Sequence, residues 1–197
     1  MKVETRLKHL FVSQTRGKLI NIFFYFPKQI FYVRELVRLT KEEINSVRRE
    51  LDNLKRGGIL MSEARGNRLY YWANPDSSFF TDLLVLAHKN SGIGQSLIEK
   101  SSSIGRIKLA FCSYQFLTGD PNTQDSVDLI LIGNISLKEI EQLAKKEEST
   151  LGREINYMVM DKSEFKLRKN KRDSLLVDFF LNCPLLLLGN PHDLFDL

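Results

Sequence analysis

The sequence predicts a two-domain chain, α+β in its first half and α/β in its second, and three observations carry that prediction. Residues 40–72 give an amphipathic helix, a double-glycine stop and a two-strand hairpin in succession. Residues 107–188 alternate short apolar runs with helical apolar stripes. Between these stretches, Lys89-Asn90-Ser91-Gly92-Ile93-Gly94 is polar and glycine-bearing, the composition of a linker. The expected domains are therefore residues 1–90 and 91–197. A chain of 197 residues that is 43% apolar can fill two small cores.

In the first half, Leu19-Ile20 and Ile22-Phe23-Phe24 predict a helix that ends near Phe26-Pro27. Residues 33–39 predict a short second helix, with Leu36 and Leu39 inward and Arg34 and Arg38 outward. Thr40-Lys41-Glu42-Glu43 has the Thr-x-x-Glu form of a capping box, so a third helix is expected to start there. Ile44, Val47, Leu51 and Leu54 then form one apolar stripe. The opposite face carries Asn45, Ser46, Arg49, Asn53 and Arg56, with Glu42 as its acidic neighbour. Gly57-Gly58 stops the helix. Ile59-Leu60-Met61 and Leu69-Tyr70-Tyr71-Trp72 predict two strands around the basic turn Arg65-Gly66-Asn67-Arg68. A last helix is expected over residues 79–88.

This is the element order of a winged helix-turn-helix, which sets one helix in the major groove and a hairpin wing on the phosphate backbone. Asn45, Ser46 and Arg49 are the expected base readers. Lys41, Arg48, Arg56, Arg65 and Arg68 are the expected phosphate contacts, with Asn67 beside them at the hairpin tip. The aromatic residues Phe23, Phe24, Tyr25, Phe26, Phe31 and Tyr32 are expected in core packing and dimer contact rather than in base stacking.

Charge agrees with this division. Residues 1–90 carry 16 Lys+Arg against 9 Asp+Glu, a net of +7; residues 91–197 carry 13 against 15, a net of −2, and the two sum to the chain's +5. Attraction to phosphate predicts such asymmetry, whereas a solubility charge would be spread over both halves. Residues 1–8 are charged and polar, unlike a signal peptide. The apolar run 185–188 is too short to span a bilayer. Two cysteines without C-x-x-C spacing and three scattered histidines do not make a zinc site. No membrane partner and a reduced, cytoplasmic setting are the expectations.

In the second half, residues 95–102 predict a short helix, 107–111 a strand and 127–132 a second strand. Ser136 is expected to cap a helix whose Leu137, Ile140, Leu143 and Ala144 face a core. Residues 155–160 predict a third strand, Ser163 opens another helix, and residues 184–188 form a last strand. Asp120-Pro121-Asn122-Thr123 reads as a turn. Cys112 is expected to be a plain buried cysteine rather than a redox or ligand-sensing thiol. The run 166–172, with five Lys or Arg in seven residues, is expected to be a solvated surface rather than a phosphate contact.

The first half resembles ArsR-type winged-helix repressors in FYVRELVRLT, VRRELDNLKRGGIL and GNRLYYWANP. The resemblance implies binding to double-stranded DNA and dimerisation through the outer helices. The second half is similar to a minimal nucleotidyltransferase domain in SVDLILIG and LGREINYMVM. That family places a Gly-Ser turn after its first strand, where backbone amides approach phosphates. An Asp-x-Asp pair on its second strand puts two carboxylates on one face to hold Mg²⁺.

Here the Gly-Ser positions are Cys112-Ser113. The first carboxylate position is Ser126, and only the second is kept, as Asp128. Asp125 does not substitute, since positions 125 and 128 fall on opposite faces of a strand. The third-strand carboxylate falls near the neutral Asn156, with Glu154 the candidate substitute two residues earlier. Cys112, Ser113, Ser126, Asp128 and Glu154 would then be a relic nucleotide site. One carboxylate does not clamp two metals, so a catalytically inactive domain without a cofactor is expected, serving dimerisation or effector binding.

With SEFKLRKN added, the resemblance spans nearly the whole chain and points to regulators that join an ArsR-like winged helix to such a domain. It implies a homodimeric, DNA-binding transcriptional regulator with a nucleotide or other small effector. Two alternatives stay open. One is an active Mg²⁺-dependent nucleotidyltransferase using Ser113, Asp128 and Glu154. The other is a non-catalytic nucleotide-sensing or antitoxin-like module.

Overall fold

The computed structural model describes residues 10–120 and 126–196. The N-terminal residues 1–8, Asp125 and most of the expected turn at Pro121-Asn122-Thr123 lie outside the described residues. The chain divides into two compact units, one ending at Ser91 and the other starting at Gly92. Its class is mixed, with helices accompanying two small sheets. Among the described residues, no helix is long and apolar enough to cross a membrane.

In the first unit, Ser13 caps α1 (Gln14–Tyr25), its hydroxyl accepting from the Arg16 amide at 3.3 Å. Leu19, Ile20, Ile22, Phe23, Phe24 and Tyr25 are all buried, so this helix is a central post rather than a surface element with one stripe. α2 (Val33–Thr40), α3 (Ile44–Arg56) and α4 (Phe80–Asn90) pack against it. Phe23 meets Phe31 edge-on at 5.4 Å and Phe24 meets Phe80 at 5.7 Å, so the aromatic run is core. The sheet has the order β1-β3-β2, all antiparallel, from β1 (Phe31–Tyr32), β2 (Leu60–Arg65) and β3 (Arg68–Ala73). Arg65 pairs with Arg68 across a two-residue turn, with Gly66 at φ 58° as such a turn requires.

Three local expectations are corrected here. Thr40-Lys41-Glu42-Glu43 is not a capping box. Thr40 ends α2 with its hydroxyl donating to the Leu36 carbonyl at 2.7 Å, and Lys41 turns the chain at φ 56°. Glu43 stands before α3 with no side-chain cap bond. The box fails because Thr40 belongs to α2, its hydroxyl turned back to Leu36, while Lys18 of α1 holds the turn by donating to Glu42 at 2.5 Å and to the Thr40 carbonyl at 2.9 Å.

Leu39 is 45% exposed, not inward, because Thr40 lies one turn on from Leu36 and takes the inner position beside it. The expected linker is also largely helical: Lys89 and Asn90 finish α4, and α5 (Gly92–Glu99) begins after the single residue Ser91. Asn90 and Ser91 are polar because they satisfy a buried asparagine. Asn21 of α1, with no exposure, donates to the Ser91 hydroxyl at 2.8 Å and accepts from the Asn90 amide at 2.9 Å.

In the second unit, α6 (Ser101–Ile104) leads into β4 (Gly105–Cys112), followed by α7 (Tyr114–Thr118). β5 (Leu129–Ile135) and β6 (Tyr157–Met160) run parallel, joined through α8 (Leu137–Leu151). α9 (Lys162–Asn170), α10 (Ser174–Leu181), β7 (Leu185–Leu188) and α11 (Asp193–Asp196) complete the unit, and the sheet order is β6-β5-β4-β7. Leu109, Phe111, Ile130, Ile132 and Met160 of the sheet pack against Phe165 of α9 and Leu176 and Phe179 of α10.

The starts of one strand and one helix differ from expectation. β5 begins at Leu129, so Ser126 and Asp128 precede the strand and do not share a pleated face. Ser163 falls inside α9, whose first turn is capped by Asp161 accepting from the Glu164 amide at 2.8 Å. At Gly133, with φ 154°, a Cβ would lie 2.2 Å from the Arg106 carbonyl oxygen. Only glycine permits that close approach of β5 to β4, beside the register shift between Ile107 and Leu109.

Candidate functional site

α3 presents Asn45, Arg48, Arg49 and Arg56 to solvent, with Ser46 half-buried. Two carboxylates that could oppose an anion are turned away from this face. Glu42 is paired with Lys18 of α1 at 2.5 Å. Glu50 is 3% exposed and accepts from Arg16 of α1 at 2.8 Å and from Asn53 at 3.4 Å. Burial alone would push the Glu50 carboxyl up. Hydrogen bonds from Ser13, Arg16 and Asn53, with the Arg16 charge, outweigh it and hold the group below the ordinary carboxylate range.

Asp52 is an acid on the outer face that the sequence reading passed over. It pairs with Arg56 at 3.4 Å, and Arg56 also donates to Asn53 at 2.5 Å. The charge of Arg56 is thus met on its own helix. Arg49 keeps a side chain 68% exposed, its Nε 3.9 Å from Glu50, a separation and exposure at which pairing is weak. Lys41 is exposed at the turn between α2 and α3.

On the hairpin, Arg65 donates to Glu63 at 2.6 Å and lies 5.5 Å over the Tyr70 ring. Arg68 lies 5.0 Å over the ring of Tyr32, whose hydroxyl accepts from Arg38 of α2 at 3.0 Å. Tyr32 is therefore a half-buried shelf under a hairpin arginine rather than a core residue. A concavity of about 710 Å³ opens between these parts. Ile44 and Arg48 line it from α3, Arg34 from α2, and Asn67 and Arg68 from the hairpin, and no carboxylate lines it. The structure thus brings Arg48, Asn67 and Arg68 together and adds Arg34, which faces outward in the sequence reading without a role. Arg56 stands about 18 Å along the helix axis from Ile44, at a rise of 1.5 Å per residue, and is not part of that concavity.

In the second unit, Cys112 ends β4 without exposure. Burial pushes its thiol well up, and the nearby Asp128 and Glu147 carboxylates add to the effect. Burial that keeps a thiol protonated lowers its reactivity. Ser113 caps α7, its hydroxyl accepting from the Phe116 amide at 3.1 Å. Asp128 is fully buried and locks β5 to β6. Its carboxylate accepts from the Asn156 amide at 2.9 Å, and its own amide donates to the Asn156 carbonyl at 2.7 Å.

A cleft of about 110 Å³ is lined by Ser113, Ser126, Gln115, Asp178 and Asn182 among others. The structure therefore gathers Ser113 and Ser126 at one cleft. Cys112 and Asp128 are buried and do not line it, and Glu154 is exposed away from it. Asp178 of α10, absent from the sequence reading, is the one carboxylate among the lining residues. A divalent metal needs converging carboxylate oxygens, and among the described residues the cleft wall offers Asp178 alone, with Asp128 buried outside it. Among the described residues, no three of His, Cys, Asp and Glu are grouped to hold a metal ion.

No family model, curated protein or solved structure matches this chain.

Proposed function

We propose that the first unit is a winged helix-turn-helix that binds duplex DNA, and that the chain is a cytoplasmic transcriptional regulator acting as a homodimer. The concavity between α3 and the β2–β3 hairpin carries this reading: Arg34, Arg48 and Arg68 line it without an acid, while Glu42 and Glu50 are drawn off to Lys18 and Arg16. α3 would enter the major groove with Asn45, Ser46 and Arg49 at base edges. Arg48, Arg34, Lys41 and the hairpin arginines would hold the phosphates on either side. The second unit, with a nucleotidyltransferase-like strand and helix order but no converging carboxylates, would serve dimerisation or effector binding without catalysis.

Selection from a random duplex library at two salt concentrations tests this reading. An enriched inverted repeat is the expected outcome, with Arg49→Ala losing roughly 1–3 kcal/mol and relaxing preference at one position. Arg48→Ala and Arg68→Ala are each expected to weaken all sequences alike and to lower the salt slope by about one phosphate contact. Binding that vanishes at moderate salt with no enriched sequence would overturn the assignment.

A further inference from the structure

The basic run 166–172 has no part in the DNA reading, and the structure sets it beside an apolar surface left open among the described residues. Phe165 and Leu176 belong to the core of the second unit, while Phe180 and Leu194 pack against it only partly buried. The Phe180 ring meets Phe111 at 5.3 Å, Phe179 at 5.5 Å and Phe165 at 6.3 Å, which makes a rigid aromatic floor. Over that floor runs a groove of about 280 Å³ between α9, α10 and α11, with Val177 on its wall at 40% exposure.

The polar edge of the groove is cationic. Arg168, Lys169 and Arg172 line it against Asp173 alone, three positive charges to one negative, a net of +2. The acids Glu164 and Asp173 are both engaged by Arg168, at 2.8 and 3.2 Å. Lys169 donates to the Leu194 carbonyl at 3.1 Å and so steadies the α11 wall. Arg172 is exposed at φ 51° and has no acidic partner among the described residues. Basic residues at the end of α9 complement its dipole, but that effect asks for no apolar floor beside them.

We propose that this groove binds a medium-chain acyl carboxylate, with its chain along Phe165, Leu176 and Phe180 and its carboxylate at Arg172 and Lys169. An apolar floor with a cationic edge matches an amphipathic anion in both parts. A bare phosphate would leave the floor unused, and a neutral chain would leave Arg172 unmet. The volume, just below the roughly 300–1,000 Å³ of sites for drug-sized ligands, suits a chain of medium length. The proposal stands independently of the DNA reading.

Calorimetric titration of the full chain with hexanoate, octanoate and decanoate, each below micellar concentration, tests it, with 1-octanol and inorganic phosphate as probes of each half of the match. Expected is saturable one-to-one binding that tightens two- to fourfold per methylene, with octanol at least tenfold weaker than octanoate and phosphate silent. Arg172→Gly removes the cation and suits the left-handed backbone, so it is expected to lose at least tenfold in octanoate affinity with no fall in melting temperature. Val177→Asp is expected to lose as much by repulsion. Octanol binding as tightly as octanoate, phosphate binding as tightly as either, non-saturable uptake, or unchanged octanoate affinity in both variants would overturn the proposal.

Discussion

Glu50 of α3 and Arg16 of α1 form an ion pair at 2.8 Å in which the carboxylate is buried and the guanidinium reaches the surface, 40% exposed. The pair ties the face-bearing helix to the central post and clears one negative charge from the outer side of α3. Its energetics are one-sided, because losing the arginine leaves a buried carboxylate without its cation.

Arg16→Met is therefore expected to destabilise the first unit by roughly 1–3 kcal/mol, read by urea denaturation. The Glu50 carboxyl is held below its unfolded value, so its stabilisation is complete above about pH 4.3 and is lost as pH falls through the depressed folded value. Stability measured from pH 7 to pH 3 is expected to fall less steeply in Glu50→Gln than in the parent chain. An identical slope in the two proteins would show that the pair contributes nothing to acid sensitivity.

The Tyr32 shelf separates two contributions. Tyr32→Phe keeps the ring under Arg68 and removes only the acceptor for Arg38, so duplex affinity is expected to stay close to that of the parent. Tyr32→Leu removes the ring as well and is expected to weaken binding two- to fivefold, the value of an exposed cation–π contact of about 0.5–1 kcal/mol. Fluorescence anisotropy with a labelled duplex distinguishes these outcomes, and equal affinity in both variants would rule out a positioning role for the ring.

At Lys41, backbone strain and the proposed phosphate contact oppose each other. The residue holds φ 56° at the end of α2, where glycine would be unstrained. Lys41→Gly is expected to raise stability by about 1 kcal/mol while weakening duplex binding through the lost cation. Thermal unfolding and anisotropy on the same sample check both signs.

The two thiols are expected to behave differently. Cys183 is exposed and Cys112 is buried, its thiol pushed up by burial and by the Asp128 and Glu147 carboxylates. A thiol-counting reagent should find one group in the native protein and a second only in denaturant. Rapid native labelling of both would show that β4 opens readily.

The helix-and-hairpin stretch was the most legible part of the sequence because its signals are local. The Val47, Leu51 and Leu54 stripe and the Arg65-Gly66-Asn67-Arg68 turn each report on a few neighbouring residues. What the sequence hid depends on partners far along the chain. The Thr-x-x-Glu pattern misled because its Thr40 closes α2 by bonding back to Leu36, at a turn held from Lys18, more than twenty residues earlier. Asp128 looked like a ligand position until its bond to Asn156, 28 residues on, placed it buried at the head of β5. β1 is two residues long and carries no readable period. α10 is apolar on several sides, so its Ser-Leu-Leu-Val-Asp-Phe-Phe-Leu run shows no stripe. The concavity drew in Arg34 because α2 and the hairpin converge there, a relation no spacing encodes.

Asn21 sits at the middle of α1 with both ends of its amide occupied by Asn90 and Ser91. Those two residues close the hydrogen-bonding shell of the first unit even though the last apolar side chain of α4 in the core is Ala87. A fragment trimmed back to that last apolar residue would strand a buried carboxamide, at about 1–3 kcal/mol for each orphaned group. Anyone dividing this chain for separate expression should keep Ser91 with the first half, because the edge of that half is drawn by a polar contact and not by its oily interior.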